Sequence, residues 1–242
     1  MTAKTETDTS RAGRAAGSEP PSAAFLAREP DRQGPPPEAR YEVRIWPRRP
    51  HPAVSLLQGG WPQSGAERRA DIYLVHPESE RVLVKLRGGE RLEIKRLARR
   101  IGSVERWTMP VSTDFPLSAP ARQAVAEALD LPGSPSEVAG TSPAHLLAAL
   151  DGPVRARTVR KSRLLFEAGC CRAEICRVAI DDWTGTTLAL EAEDLPALTA
   201  AMDTLGLGDL PNRSYGALLL RIPGQAQGRP RLGLTRDGPP AP

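Results

Sequence analysis

Charged residues recur at a two-residue spacing in several segments of this 242-residue chain. The pairs are Glu42 with Arg44, Lys85 with Arg87, Lys161 with Arg163, and Glu191 with Glu193. Because successive side chains of a β-strand point to opposite faces, each pair would project from one face of its strand. Lysine and arginine bind phosphate oxygens, and carboxylates bind divalent cations. Together these residue types are typical of a site that handles a phosphorylated anion.

Lysine is rare among the basic residues of this chain. The formal net charge is +4, which permits an anionic partner without requiring one. Of the 33 basic residues only four are lysines, at Lys4, Lys85, Lys95 and Lys161. In a chain that uses arginine almost everywhere, the three lysines after Lys4 are candidates for a chemical role.

Short alternating segments bounded by turn residues predict the strands that carry these side chains. The predicted strands cover residues 40–46, 70–75, 81–87, 91–97, 158–166, 170–180 and 187–193. Gly88-Gly89-Glu90 indicates a hairpin between two of them. Residues 47–69, rich in proline, glycine and arginine, predict a long loop.

Capping residues predict helices between and after the strands. Ser118 precedes a predicted helix over 121–131, and Ser142-Pro143 begins one that runs through residue 150. Asp194 caps a third helix over 195–205. Strands in meander order with intervening helices indicate an α+β fold, in which an antiparallel sheet or barrel carries helices outside.

Composition sets the boundaries of the folded part. Glycine and proline make up 46 residues, many of them near the two ends. We expect disordered tails at 1–37 and 223–242 and one folded domain at 38–222. No apolar run is long enough to span a membrane, no secretion signal is present, and three cysteines fit a reducing cytoplasm.

The charged strand faces admit two interpretations. The ordinary one is a half-buried sheet whose charged face meets solvent. The alternative is a closed barrel with the charges inside, which is costly if the interior is dry. A wet tunnel that takes a polyanion, with metal ions bridging carboxylates to phosphate, would make such an interior favourable.

The order of these segments resembles the CYTH superfamily, the triphosphate tunnel metalloenzymes, over about residues 40–220. The matching segments are Arg40-Tyr41-Glu42-Val43-Arg44, Lys85-Leu86-Arg87, Lys95, Val159-Arg160-Lys161-Ser162-Arg163, Asp181, Ala189-Leu190-Glu191 and Ser214-Tyr215-Gly216-Ala217-Leu218-Leu219. The resemblance implies a closed antiparallel barrel that uses Mg²⁺ or Mn²⁺ to process a triphosphate-containing substrate. Family members carry acids where this chain has Arg40 and Ala189.

The resemblance also implies roles for individual residues. The predicted substrate-binding residues are Arg44, Lys85, Arg87, Lys95, Lys161 and Arg163. The predicted metal ligands are Glu42, Asp181 and Glu191, with Glu42 and Glu191 also catalytic. The expected activity is metal-dependent hydrolysis of an inorganic or organic triphosphate.

Two other functions stay open. In the first, the barrel has lost catalysis with the two missing acids and binds polyphosphate or a nucleotide. In the second, nucleic acid binds an outer basic surface around Arg68-Arg69, Arg96 and Arg99-Arg100. Aromatic residues are only 4% of the chain and no recognition motif is present, so nucleic acid is the less favoured partner. Serine-hydrolase and P-loop motifs are absent, which excludes those chemistries.

Overall fold

The computed structural model describes residues 39–150, 152–208 and 210–223. The predicted disordered tails therefore lie outside the described residues, apart from residue 223. Within the described ranges, no helix combines the length and the hydropathy that crossing a membrane would need.

Eight antiparallel strands form a closed barrel in the order β1-β5-β4-β3-β2-β6-β7-β8. The strands are β1 (Arg40–Ile45), β2 (Gln63–Val75), β3 (Val82–Arg87), β4 (Arg91–Ile101), β5 (Val104–Thr113), β6 (Arg155–Ala168), β7 (Cys171–Ile180) and β8 (Trp183–Ala192). Gly88 and Gly89 both have positive φ in the turn between β3 and β4, which confirms the predicted hairpin. The predicted α+β barrel with external helices is thus the observed fold.

Five helices accompany the barrel, and each begins at a capping side chain. They are α1 (Pro52–Gly60), α2 (Ala119–Leu129), α3 (Pro143–Ala149), α4 (Leu195–Thr204) and α5 (Tyr215–Leu219). Ser118, Ser142 and Asp194 accept backbone N–H groups at the starts of α2, α3 and α4, as their positions in the sequence predict. A 3-10 turn lies at Pro135–Glu137.

Two of the three hydrophobic clusters formed by the described residues lie outside the barrel wall. Alternation along β1 turns Val43 and Ile45 outward, where they pack with buried residues of α1 and α4 such as Leu57 and Leu198. A second cluster packs the outer faces of β3 and β4 against α2 and α3. Because the helices cover the apolar outer faces of these strands, the opposite faces are free to carry charge inside the barrel.

Helix α5 closes one end of the barrel. Tyr215 and Leu219 pack there with barrel residues that include Tyr73 and Val178. Gly216 permits this close approach, because a Cβ at that position would meet the side chain of Leu83 on β3. The charged part of the interior therefore lies towards the opposite end.

The predicted loop over residues 47–69 was wrong. The segment contains α1, and β2 begins at Gln63. Helix α1 begins with His51, whose Nδ1 accepts the N–H of Ala53, and Pro52 follows as the first helical residue. Histidine is not among the usual capping residues, which is why the helix start was not evident from the sequence.

Candidate functional site

Charged side chains from most of the strands converge inside the barrel on a cavity of about 330 Å³. Seven basic residues line it among the described part of the chain: Arg40, Arg69, Lys85, Arg87, Lys95, Arg163 and Arg172. Five carboxylates line it with them: Glu67, Glu93, Glu167, Glu174 and Glu191. The outward-charge interpretation is therefore wrong for these strand faces, which enclose a polar cavity.

Strands β3 and β4 supply one cluster of the lining. Their register places Lys85 opposite Glu93, and Lys85 Nζ lies 2.8 Å from Glu93 Oε2. Arg87 Nη1 lies 3.4 Å from the other oxygen of the same carboxylate. Burial raises the pKa of Glu93, but the charges of Lys85 and Arg87 outweigh it and hold the pKa below its usual value. Glu93 thus fixes two predicted phosphate-binding residues in position.

A chain of ion pairs crosses the cavity wall from β1 to β2. Arg44 Nη1 donates to Glu174 Oε1 at 2.9 Å, and Arg163 donates to both Glu174 and Glu67. Burial raises the pKa of Glu174, but the charges of Arg44 and Arg163 outweigh this effect and lower the pKa to about 2. The two predicted binding residues Arg44 and Arg163 are therefore linked by one ionised carboxylate.

Lys161 lies below these ion pairs, near the closed end of the barrel. Its ammonium donates to Asp71 Oδ2 at 2.7 Å and to the Tyr73 hydroxyl at 3.0 Å. It also lies 4.2 Å from the centre of the Tyr215 ring. Lys161 is 6% exposed, so it secures the floor of the cavity and does not line the open space.

Glu42 and Glu191 lie where β1 and β8 meet, and Lys95 reaches Glu42 from β4. Glu42 lies directly opposite Glu191 in the register of the two strands. Lys95 Nζ lies 3.5 Å from Glu42 Oε2, and Arg44 lies 3.2 Å from Glu42 Oε1. Burial lowers the pKa of Lys95, but Glu42 and Glu191 outweigh it and raise the pKa. The Glu191 side chain lines the cavity and forms no hydrogen bond or ion pair with any described residue, although its charge contributes to the raised pKa of Lys95.

The three predicted metal ligands do not meet. Asp181 lies in the turn after β7, where Arg157 Nη2 donates to its Oδ2 at 2.8 Å. The described residues contain no group of three or more His, Cys, Asp or Glu side chains that could hold a metal. Glu42 already forms ion pairs with Arg44 and Lys95. The donor set therefore does not fit the Mg²⁺ or Mn²⁺ site that the resemblance implies.

The two departures from the family pattern also have a structural outcome. Arg40 lines the cavity and pairs with Glu193 at 2.7 Å, away from Glu42. Ala189 lies directly opposite Glu174 in the register, so Glu174 on the neighbouring strand brings a carboxylate close to the missing acid. That carboxylate forms ion pairs with Arg44 and Arg163 and is not part of a metal site.

Five carboxylates of the interior were not predicted from the sequence: Glu67, Asp71, Glu93, Glu167 and Glu174. Glu93 shares a strand face with Lys95, and this pattern could have indicated it. Glu67, Asp71 and Glu174 each have one partner at least 90 positions away in the sequence, and only the strand register brings those partners close. Arg69 was assigned to the outer surface, but it points inward and lies 2.8 Å from Asp71.

No protein-family model and no curated protein matches the chain. Among solved structures, the PH1012 protein from Pyrococcus horikoshii is 16% identical, with 74% of this chain and 98% of that chain covered and a TM-score of 0.47. HpAC1 from Hippeastrum, described as having a dominant triphosphatase activity, is 10% identical, with 69% and 88% covered and a TM-score of 0.38. The Pct1 RNA triphosphatase from S. pombe, solved with the Spt5 CTD, is 10% identical, with 77% and 82% covered and a TM-score of 0.32.

The fold and the interior define a class of protein, namely a closed antiparallel barrel around a charged cavity. The closed antiparallel barrel that the resemblance to the CYTH superfamily implies is the observed fold.

Proposed function

We propose that the barrel binds the terminal phosphates of a triphosphate or polyphosphate ligand, and that it does so without a preformed metal site. One observation carries this proposal: seven basic side chains from six different strands surround a single cavity. Oxygen atoms of a phosphate chain could be met from several directions at once, which single surface cations cannot achieve.

The arrangement favours a rigid and selective site. Glu93, Glu174 and Glu67 hold the surrounding basic groups in fixed positions, so little side-chain entropy remains to be lost on binding. Arg87 and Arg172 have side chains that are 45% and 57% exposed, so they meet a ligand first. The cavity volume lies within the usual range of small-ligand sites, about 300–1,000 Å³.

The closed end constrains how a ligand enters. Tyr73, Tyr215 and Lys161 fill the interior beneath the cavity, and α5 covers that end. A linear phosphate chain would therefore enter end-on from the side of Arg87 and Arg172.

Calorimetric titration of tripolyphosphate into the full chain in EDTA tests the proposal. We expect one saturable site, and a loss of affinity of roughly tenfold or more in the double variant Arg87→Ala and Lys95→Ala. Glu93 retains Lys85 and Glu42 retains Arg44 in that variant, so no buried carboxylate loses every partner.

The matched control removes two exposed arginines of the loop after β1, Arg48→Ala and Arg49→Ala. It changes the net charge equally but leaves the cavity intact. Equal loss of affinity in both double variants, or no saturable binding in the wild type, would overturn the proposal.

Metal-dependent hydrolysis of the bound triphosphate is the second candidate. Its specific support is the unpaired carboxylate of Glu191, which faces the cavity beside Glu42. Incubation with inorganic triphosphate and Mg²⁺ or Mn²⁺ tests it, with Glu191→Ala as the comparison. Phosphate release that Glu191→Ala abolishes would support hydrolysis, whereas binding in EDTA together with no release in Mg²⁺ or Mn²⁺ supports a binding module.

A further inference from the structure

The barrel has a second basic surface, on the outer side of β2, β6, β7 and β8. Strand register places Arg68, Ser162, Arg177 and Thr186 in one row across the four strands. The next row contains Ala70, Arg160, Ala179 and Thr184. We call these two rows the outer wall, and they border a shallow depression of about 710 Å³.

The three arginines of the outer wall are available to a ligand. Arg68, Arg160 and Arg177 are all exposed, and their side chains form no hydrogen bond or ion pair with any described residue. The outward positions of β2, β6, β7 and β8 hold no aspartate or glutamate. This contrasts with the interior, where most of the arginines are held by carboxylates.

The pattern of side-chain sizes adds to this availability. Each arginine has small residues or hydroxyl residues beside it across the strands, such as Ser162 next to Arg68 and Ala179 next to Arg160. Strands lie about 4.8 Å apart, so Arg68 and Arg177 stand about 10 Å apart with Arg160 diagonal to both. The guanidinium groups are thus unobstructed, and they lie far enough apart to contact different phosphates of one strand.

We propose that the outer wall binds the phosphodiester backbone of a nucleic acid. Arginine guanidinium groups with serine and threonine hydroxyls are the donor set that contacts phosphate oxygens in such complexes. The described outward positions of the wall carry no aromatic side chain for base stacking, so the binding is backbone-directed and independent of sequence. Duplex and single strands are both compatible with this chemistry.

The site differs from the basic surface that the sequence suggested. That surface included Arg69, which instead pairs with Asp71 inside the barrel. Arg100 pairs with Glu105 and Arg96 lies 3.8 Å from Glu127, so two further members carry their own carboxylates. Only Arg68 of that group belongs to the outer wall.

Fluorescence anisotropy with a labelled single-stranded RNA of mixed sequence tests the proposal. The RNA carries a 5′-hydroxyl end, so the tunnel cannot contribute a terminal triphosphate contact. We expect the triple variant Arg68→Ala, Arg160→Ala, Arg177→Ala to bind about tenfold more weakly at about 50 mM salt. The slope of log K against log salt should fall in magnitude by about 2, as expected for three lost contacts to a single strand.

The matched control removes three exposed arginines elsewhere, Arg48, Arg49 and Arg81, and should leave both quantities close to wild type. Equal effects of the two triple variants would overturn the assignment to the outer wall. Displacement of the RNA by polyglutamate at equal charge would show that an acidic peptide is the better partner and would also overturn it. Tripolyphosphate binding should be unchanged in the outer-wall variant, so this proposal and the tunnel proposal fail independently.

Discussion

Glu174 is the residue that most clearly links stability to the charged interior. It accepts from Arg44 and Arg163, two residues from strands that lie on either side of β7 in the barrel. Its ordinary pKa of 4.5 falls to about 2 in the folded protein. A depressed carboxylate pKa stabilises the folded state above the ordinary pKa, and this stabilisation is lost as the pH falls towards the folded value.

We therefore predict that the free energy of unfolding of the wild type declines as the pH falls from about 4.5 to about 2. The variant Glu174→Gln should be destabilised by about 3–5 kcal/mol at neutral pH, because the buried Arg44 and the partly buried Arg163 lose their shared partner. Its stability should also depend less on pH across the acid range. Urea denaturation at a series of pH values measures both effects, and parallel pH curves for the two proteins would contradict this role of Glu174.

The carboxylate of Glu191 opposes the binding of an anionic ligand. Its unpaired carboxylate faces the cavity, so it repels a phosphate ligand. Glu191→Gln should strengthen tripolyphosphate binding in EDTA by about tenfold, because the repulsion between like charges is removed.

Calorimetry of this variant beside Glu78→Gln, in the exposed turn between β2 and β3, separates a local effect from a change in net charge. Weaker binding in Glu191→Gln would show that the carboxylate assists binding, and the repulsion model would then be wrong.

At the scale of elements, α5 matters because it closes the barrel. Tyr215 packs with Tyr73 and Trp46, and its ring lies 4.7 Å from the Arg44 guanidinium carbon. We predict that Tyr215→Ala lowers the free energy of unfolding by about 3–5 kcal/mol, through the cavity it leaves and the lost cation–π contacts. Tyr215→Phe keeps the ring and should cost much less. Chemical denaturation of both variants checks this, and similar losses in the two would show that the ring is not what matters.

The sequence predicted the elements whose two faces differ in polarity. In β1 and β3, outward apolar residues alternate with inward charges, so Val43 and Lys85 each indicated a face correctly. The first half of β2 was missed because it is polar on both faces: one lines the cavity and the other, with Arg68, is exposed. Strand β5 was missed because Pro110 interrupts it, and proline is uncommon within strands.

The site could be predicted only in part for a related reason. The basic residues stand at strand positions that local alternation identifies. Their carboxylate partners, such as Asp71 for Lys161 and Glu174 for Arg44, are brought close by long-range register. Local sequence does not fix that register, so the degree to which the interior neutralises itself could not be foreseen.

For the whole molecule, two apolar clusters pack helices against the outside of the barrel, a third fills its closed end, and the charges line the cavity within it. Helices stabilise the fold from outside, which leaves the interior to a ligand and the outer wall of β2, β6, β7 and β8 exposed. We propose that the interior, and not the outer surface, binds the triphosphate.

The scarcity of lysine allows this claim to be tested at individual positions. Lys85 and Lys95 line the cavity, Lys161 lies beneath it, and Lys4, outside the described residues, is the remaining lysine of the chain. An amine-reactive reagent followed by mass spectrometry, with and without tripolyphosphate in EDTA, measures protection at each one. The proposal predicts that tripolyphosphate protects Lys85 and Lys95 while modification of Lys4 is unchanged. Equal modification of Lys85 and Lys95 with and without the ligand, under conditions where calorimetry shows saturation, would contradict it.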